Sequence, residues 1–84
     1  MTPHYSANLR IELATKELAR TVYRSLIPEQ YASTSAATKV RIDSEGCTLR
    51  LHLAARSVAT LRALIHSYLR WIATIQAVID SVGM

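Results

Sequence analysis

Three residues in the last third of the chain are spaced to meet an anion. Arg62, His66 and Arg70 stand at i, i+4 and i+8, which aligns side chains along one face of a helix. Two guanidinium groups and an imidazole in line suit phosphate oxygens, or carboxylates on a partner helix. Ala63, Ala73 and Ala77 lie around them. Such small residues let a second helix backbone come close, which a phosphate stripe does not require. A plain solvated stripe is the third reading, and spacing alone leaves all three open. A second polar set is Asn8, Arg10, Glu12, Lys39, Arg41, Thr48, Arg50 and His52, each on the polar side of an alternating run. A basic sheet face can hold a phosphate backbone. This one has no aromatic on which bases would stack, and charge there also guards a sheet against edge pairing.

Catalytic chemistry has no footing. Glu12, Glu17, Glu29, Asp43, Glu45 and Asp80 fall on a strand face, a helix start, loops and a chain end, without clustering. No glycine-rich phosphate loop, nucleophile elbow, HExxH or CxxC is present. Cys47 is the single thiol, and His4, His52 and His66 do not join it at metal-ligand spacing. No catalytic residue, cofactor or metal ligand is therefore expected, and the chain reads as a non-enzyme.

These residues are carried on five elements. Ala7, Leu9, Ile11 and Leu13 alternate with Asn8, Arg10 and Glu12, predicting a half-buried strand. Thr15 is a helix N-cap with Glu17 in the first turn. Leu18, Val22 and Leu26 form a stripe flanked by Ala19, Tyr23 and Ile27, and Pro28 is expected to end the helix. EQYASTSAA reads as a polar loop with Tyr31 as its anchor. Thr38, Val40 and Ile42, then Cys47, Leu49, Leu51 and Leu53, are the apolar sides of two strands joined by the turn DSEG, with Gly46 available for positive φ. Ser57 caps a last helix running to about Asp80, with Gly83 just beyond. The order β-α-β-β-α predicts an α+β two-layer sandwich: a three-stranded antiparallel sheet with the third strand central, and two helices on one face.

The 84 residues, 50% hydrophobic with two Gly and two Pro, make a single domain over 1–84. A chain this short buries only about 60–65% of its unfolded surface, so self-association is a natural remedy. The net charge of +4 permits an acidic partner without requiring one. The N-terminal MTPHYSANLRIEL lacks the apolar stretch of a signal peptide. The window Ile65 to Val82 is too polar to span a bilayer. A cytoplasmic location is expected. On the last helix, positions 58, 61, 65, 68, 72, 75, 79 and 82 form a heptad-like seam. Leu64, Trp71 and Val78 on one flank and Leu69 on the other widen the apolar arc to roughly 160°, beyond the ~100° that one core contact needs. The surplus is available to the first helix or to a partner.

The segments LARTVYRSLIPE and LRALIHSYLRWI in this order of elements resemble the small dimerising subunit of the KEOPS complex, the Pcc/CTAG-like family. The resemblance spans about residues 6–80 and is most specific at Leu61, Arg62, Ala63, Ser67, Tyr68, Leu69, Arg70 and Trp71. The chain departs from the family at His66, where Asn is usual. The resemblance implies a non-catalytic scaffold in the assembly that makes threonylcarbamoyladenosine beside the tRNA anticodon. It implies a homodimer formed through the sheet side, with both helices docked on the catalytic Kae-type threonylcarbamoyltransferase. A Bud-type kinase and a Cgi-type subunit complete the core, and no membrane is involved. Carried over by position, the docking candidates are Tyr23, Ile27, Arg62, His66, Ser67, Arg70 and Trp71. Arg10, Lys39, Arg41 and Arg50 are the candidates for contact with tRNA. The alternative is a stand-alone KH-like RNA-binding module. That fold clamps the backbone with a GxxG loop, which neither Gly46 nor Gly83 supplies.

Overall fold

Alternation of apolar and polar residues builds three strands, β1 (Tyr5–Glu12), β2 (Thr38–Glu45) and β3 (Thr48–Ala55), and two capped amphipathic stretches build α1 (Lys16–Ser33) and α2 (Val58–Ser81). These come from a computed structural model that describes residues 5–82. His4 and Gly83 lie outside the described residues. The sheet order is β1-β3-β2, antiparallel throughout, as the α+β sandwich requires. The hairpin strand β3 is central because β1, the first strand in the chain, pairs along its free side.

The register sorts the sheet into rows. Ala7–Leu53–Val40, Leu9–Leu51–Ile42 and Ile11–Leu49–Ser44 face the helices. Leu49, Leu51 and Leu53 are fully buried there with Val22 and Leu26 of α1 and Tyr68 of α2. Each such side chain contributes about 1.5–3 kcal/mol relative to exposure. Both predicted N-caps are present: Thr15 Oγ1 accepts from the Leu18 N–H at 3.0 Å, and Ser57 Oγ from the Thr60 N–H at 3.1 Å.

Four expectations are corrected. Pro28 does not end α1, which continues through it to Ser33. The exposed Pro28 deprives only the carbonyl of Arg24, itself on the exposed side, of a partner. The extra turn is held from outside the helix. The Ile42 N–H donates to Gln30 Oε1 at 2.8 Å, the Tyr68 hydroxyl donates to Ser33 Oγ at 3.0 Å, and the Thr38 hydroxyl donates to the Ser33 carbonyl. Much of the expected loop EQYASTSAA is thus helical, and Tyr31, its supposed anchor, is 73% exposed. The hairpin turn is Gly46–Cys47 rather than DSEG, since β2 runs on to Glu45 opposite Thr48. Among the described residues only Gly46 takes positive φ, at +59°, the position that favours glycine in a two-residue loop. Cys47 therefore sits exposed in the turn and not on the inner face. Finally, β1 begins at Tyr5 rather than Ala7.

Candidate functional site

The helix pair and the outer face of the sheet carry the candidate residues. The helices run antiparallel. Thr15 to Thr21 at the start of α1 face Ile79 and Asp80 at the end of α2 across a groove of about 270 Å³. Ser25, Leu26 and Glu29 face Trp71, Thr74 and Ile75 across a second of about 200 Å³. The end of α1 meets the middle of α2 through the Ser33–Tyr68 bond. The predicted α2 seam is only partly consumed by this packing. Tyr68 and Ile72 are buried, and Leu61, Ile65 and Ile75 are half-buried against the core. Val58, Leu69, Val78 and Val82 are 43–63% exposed. Trp71 stands edge-on to Tyr68, ring centroids 5.0 Å apart at 78°, which fixes the indole against the core while its outer side lines the groove.

The seven docking candidates fall on three surfaces, not one. Ser67 and Trp71, one turn apart, share the groove flank of α2 and are half-buried. Arg62, His66 and Arg70 are exposed on the back of α2, with Ala63, Ala73 and Ala77 also exposed. Among the described residues none of the three makes an ion pair. Tyr23 and Ile27 are half-buried and fall on the flank of α1 that carries Gln30, four and three residues apart in turn. Gln30 bonds to Ile42, so that flank faces β2, away from the interhelical groove. Helical periodicity separated inside from outside on each helix. It could not show which side of α1 faces α2. The groove also brings in Leu18, Thr21, Ser25, Glu29 and Thr74, which were not candidates from sequence.

The outer rows of the sheet are Ser6–Ala54–Lys39, Asn8–His52–Arg41, Arg10–Arg50–Asp43 and Glu12–Thr48–Glu45. Asp43 and Glu45 thus join the face, by the same period-two rule that places Lys39 and Arg41. Four fixed cations share it with three carboxylates, so it is close to balanced rather than strongly basic. Arg10 pairs with Glu12 at 3.1 Å, and Arg50 with Glu45 at 3.1 Å and Asp43 at 3.8 Å. These exposed pairs contribute little to stability, but they occupy two of the four candidate tRNA-contacting cations. The pairing also relieves the direct opposition of Arg10 and Arg50 across the ladder. Thr48, buried on this face, donates its hydroxyl to Glu12 at 3.0 Å. Among the described residues, no group of three His, Cys, Asp or Glu is placed to hold a metal ion, and no helix is long and apolar enough to cross a membrane.

Comparison with known proteins finds relatives of the chain in sequence and in fold. A curated protein of Pyrococcus abyssi (strain GE5 / Orsay), KEOPS complex subunit Pcc1, is 31% identical over 62 residues, covering 74% of this chain and 76% of its own. The fold is that of a chain in the crystal structure of the binary complex Gon7-Pcc1, with a TM-score of 0.86, 98% of this chain and all of that one covered, at 20% identity. The family model described as Transcription factor Pcc1 matches residues 6–80. That span takes in α1, β2 and β3 whole and nearly all of β1 and α2, and the chain belongs to the Pcc1 family.

Proposed function

We propose that this protein is a non-catalytic dimerisation and scaffold subunit of a KEOPS complex, the assembly that makes threonylcarbamoyladenosine in tRNA. Its helix layer docks on the catalytic Kae-type subunit, and the Bud-type kinase and Cgi-type subunit are reached indirectly. It works in the cytoplasm as a homodimer. The observation that carries this reading is the incompletely covered helix layer in a Pcc1-family chain. Two grooves run between α1 and α2, and Val78 on α2 and Val82 at its C-cap are more than half exposed. A helix laid along that cleft buries apolar surface at about 25 cal/mol per Å².

Light-scattering size exclusion of the protein alone and with a Kae-type catalytic subunit tests both parts. The expected result is a particle of twice 9.3 kDa alone and co-elution with the catalytic subunit. Thr74→Arg, which fills the Trp71 groove from an exposed position, should abolish co-elution while leaving the dimer intact. Arg70→Glu tests the back of α2 in the same way. A monomer alone refutes dimerisation, and co-elution unchanged in both variants refutes helix docking.

A further inference from the structure

We propose that the cleft between α1 and α2 anchors an arginine: a partner's amphipathic helix seats one guanidinium between the Glu29 carboxylate and the Trp71 indole. The inference rests on the helix-docking reading above and adds the chemistry of the helix that docks. Three observations carry it. The first is how the acids are sorted. Glu12, Asp43 and Glu45, on the outer face of the sheet, are paired with Arg10 or Arg50. Glu17, Glu29 and Asp80 line the grooves between the helices. Among the described residues none of these last three makes an ion pair, and no lysine or arginine lines either groove. In a chain of net charge +4, the cleft is therefore a negative strip. Asp80 also sits in the last turn of α2, which has no basic residue. A carboxylate is disfavoured at that end of a helix dipole unless a cation joins it.

The second is hydrogen bonding. The hydroxyls of Thr21, Ser25 and Thr74 line the grooves, and each donates to a carbonyl of its own helix at 2.9–3.0 Å. Their protons are spent, so they offer acceptors to the cleft and nothing to an anion. The third is shape. Glu29 on α1 and Trp71 on α2 are half-buried on facing walls of a concavity of about 200 Å³. That is below the about 300–1,000 Å³ of small-molecule pockets and suits a single side chain. A guanidinium pairs with a carboxylate through two parallel N–H donors and stacks on an aromatic face. Arginine therefore fits both walls, and lysine fits one of them well. Glu17 precedes Glu29 by twelve residues, about 18 Å along α1. A second cation of the same helix meets Glu17 and Asp80 there, with Leu18, Ile75 and Ile79 supplying apolar contact along the way.

The test measures the affinity of the full chain for a Kae-type catalytic subunit and for three synthetic amphipathic helices. The helices share a leucine seam and carry two arginines, two lysines or two glutamines twelve positions apart. Trp71 is the single tryptophan, so its emission reads peptide binding in the groove. Glu29→Gln should weaken the subunit and the arginine peptide about tenfold, the loss expected for one charge-assisted contact. Arg20→Gln, on exposed α1, should change either affinity less than about twofold. The arginine peptide should bind about tenfold tighter than the glutamine peptide and about threefold tighter than the lysine peptide. Its advantage should fade as salt rises. A catalytic subunit indifferent to Glu29→Gln but weakened by Thr74→Arg or Arg70→Glu leaves helix docking standing and overturns the anchor. One indifferent to all three variants overturns both. Equal binding of the arginine and glutamine peptides, no change of Trp71 emission with any peptide, or equal and opposite effects of Glu29→Gln and Arg20→Gln would each overturn the proposal.

Discussion

Ser33→Ala should destabilise the protein more than Tyr68→Phe, although both delete one hydrogen bond. The Tyr68 hydroxyl donates to Ser33 Oγ at 3.0 Å. The two ends differ in environment: Tyr68 is 0% exposed, while Ser33 is half-buried at the last turn of α1. Replacing Tyr68 by Phe keeps the ring packed and leaves the Ser33 hydroxyl within reach of water. The loss is then the net worth of one hydrogen bond, about 0.5–1.5 kcal/mol. Replacing Ser33 by Ala strands a phenol in the core, and a buried unpaired donor costs about 1–3 kcal/mol. Among the described residues no buried side-chain polar atom lacks a partner, so this variant would create one. Alanine returns a few tenths of a kcal/mol in helix propensity, which narrows the gap without closing it. The expected ordering is about 2 kcal/mol for Ser33→Ala against about 1 for Tyr68→Phe, with about 4–8 °C of Tm per kcal/mol in a domain this size. The double variant should return close to Tyr68→Phe alone, because the stranded donor is then gone. Urea unfolding at one fixed protein concentration, with constant slope, measures all four proteins. A smaller cost for Ser33→Ala than for Tyr68→Phe would refute the argument.

Pro28→Ala should stabilise the chain by about 1–3 kcal/mol, because an interior helical proline forfeits a backbone bond. The check is a higher urea midpoint at unchanged slope. Gly46→Ala should cost about 1 kcal/mol from the left-handed backbone alone, since a Cβ there meets nothing within 4 Å. A stability equal to the parent's would contradict that. Thr15→Ala should lose about 1 kcal/mol by uncapping α1, read as lower helicity and a lower melting temperature. Burial raises the Tyr68 pKa above the ordinary 10.0, opposed by the Ser33 hydrogen bond and reinforced by Glu29. The phenol therefore ionises more readily in the unfolded chain. Its stabilising contribution is complete below about pH 10 and is lost as pH climbs towards the folded value. Unfolding measured from pH 8 to 11 should show that alkaline loss in the parent and a flatter curve in Tyr68→Phe.

Much of the fold was legible because its signals are local. Alternation in β1 and β2, the caps at Thr15 and Ser57 and the glycine of the hairpin are each written within a few residues. Pro28 misled because two of the bonds that carry α1 past it come from Ile42 and Tyr68, 12 and 35 residues from their partners, and the third from Thr38 in the next strand. Reading DSEG as the turn misled in turn about the sheet. It ended β2 at Asp43 and kept Glu45, which pairs opposite Thr48, off the outer face. The docking candidates scattered for a related reason. Periodicity finds the buried face of a helix but carries no information on its rotation relative to a neighbour, so Tyr23 and Ile27 could not be told apart from the groove residues Leu18 and Ser25.

The central position of β3 also orders events in time. β1 is synthesised first, yet the nearest residue that pairs with it, Thr48, lies thirty-six positions after Glu12. The hairpin of β2 and β3 closes over two residues and can form as soon as both strands exist. For most of its synthesis, then, the N-terminal strand has no partner within its own chain. The slow step of folding should be its capture by the finished hairpin, since long-range closure carries the largest entropic cost. A strand waiting in that way is the part of the molecule most exposed to pairing with a neighbour emerging beside it.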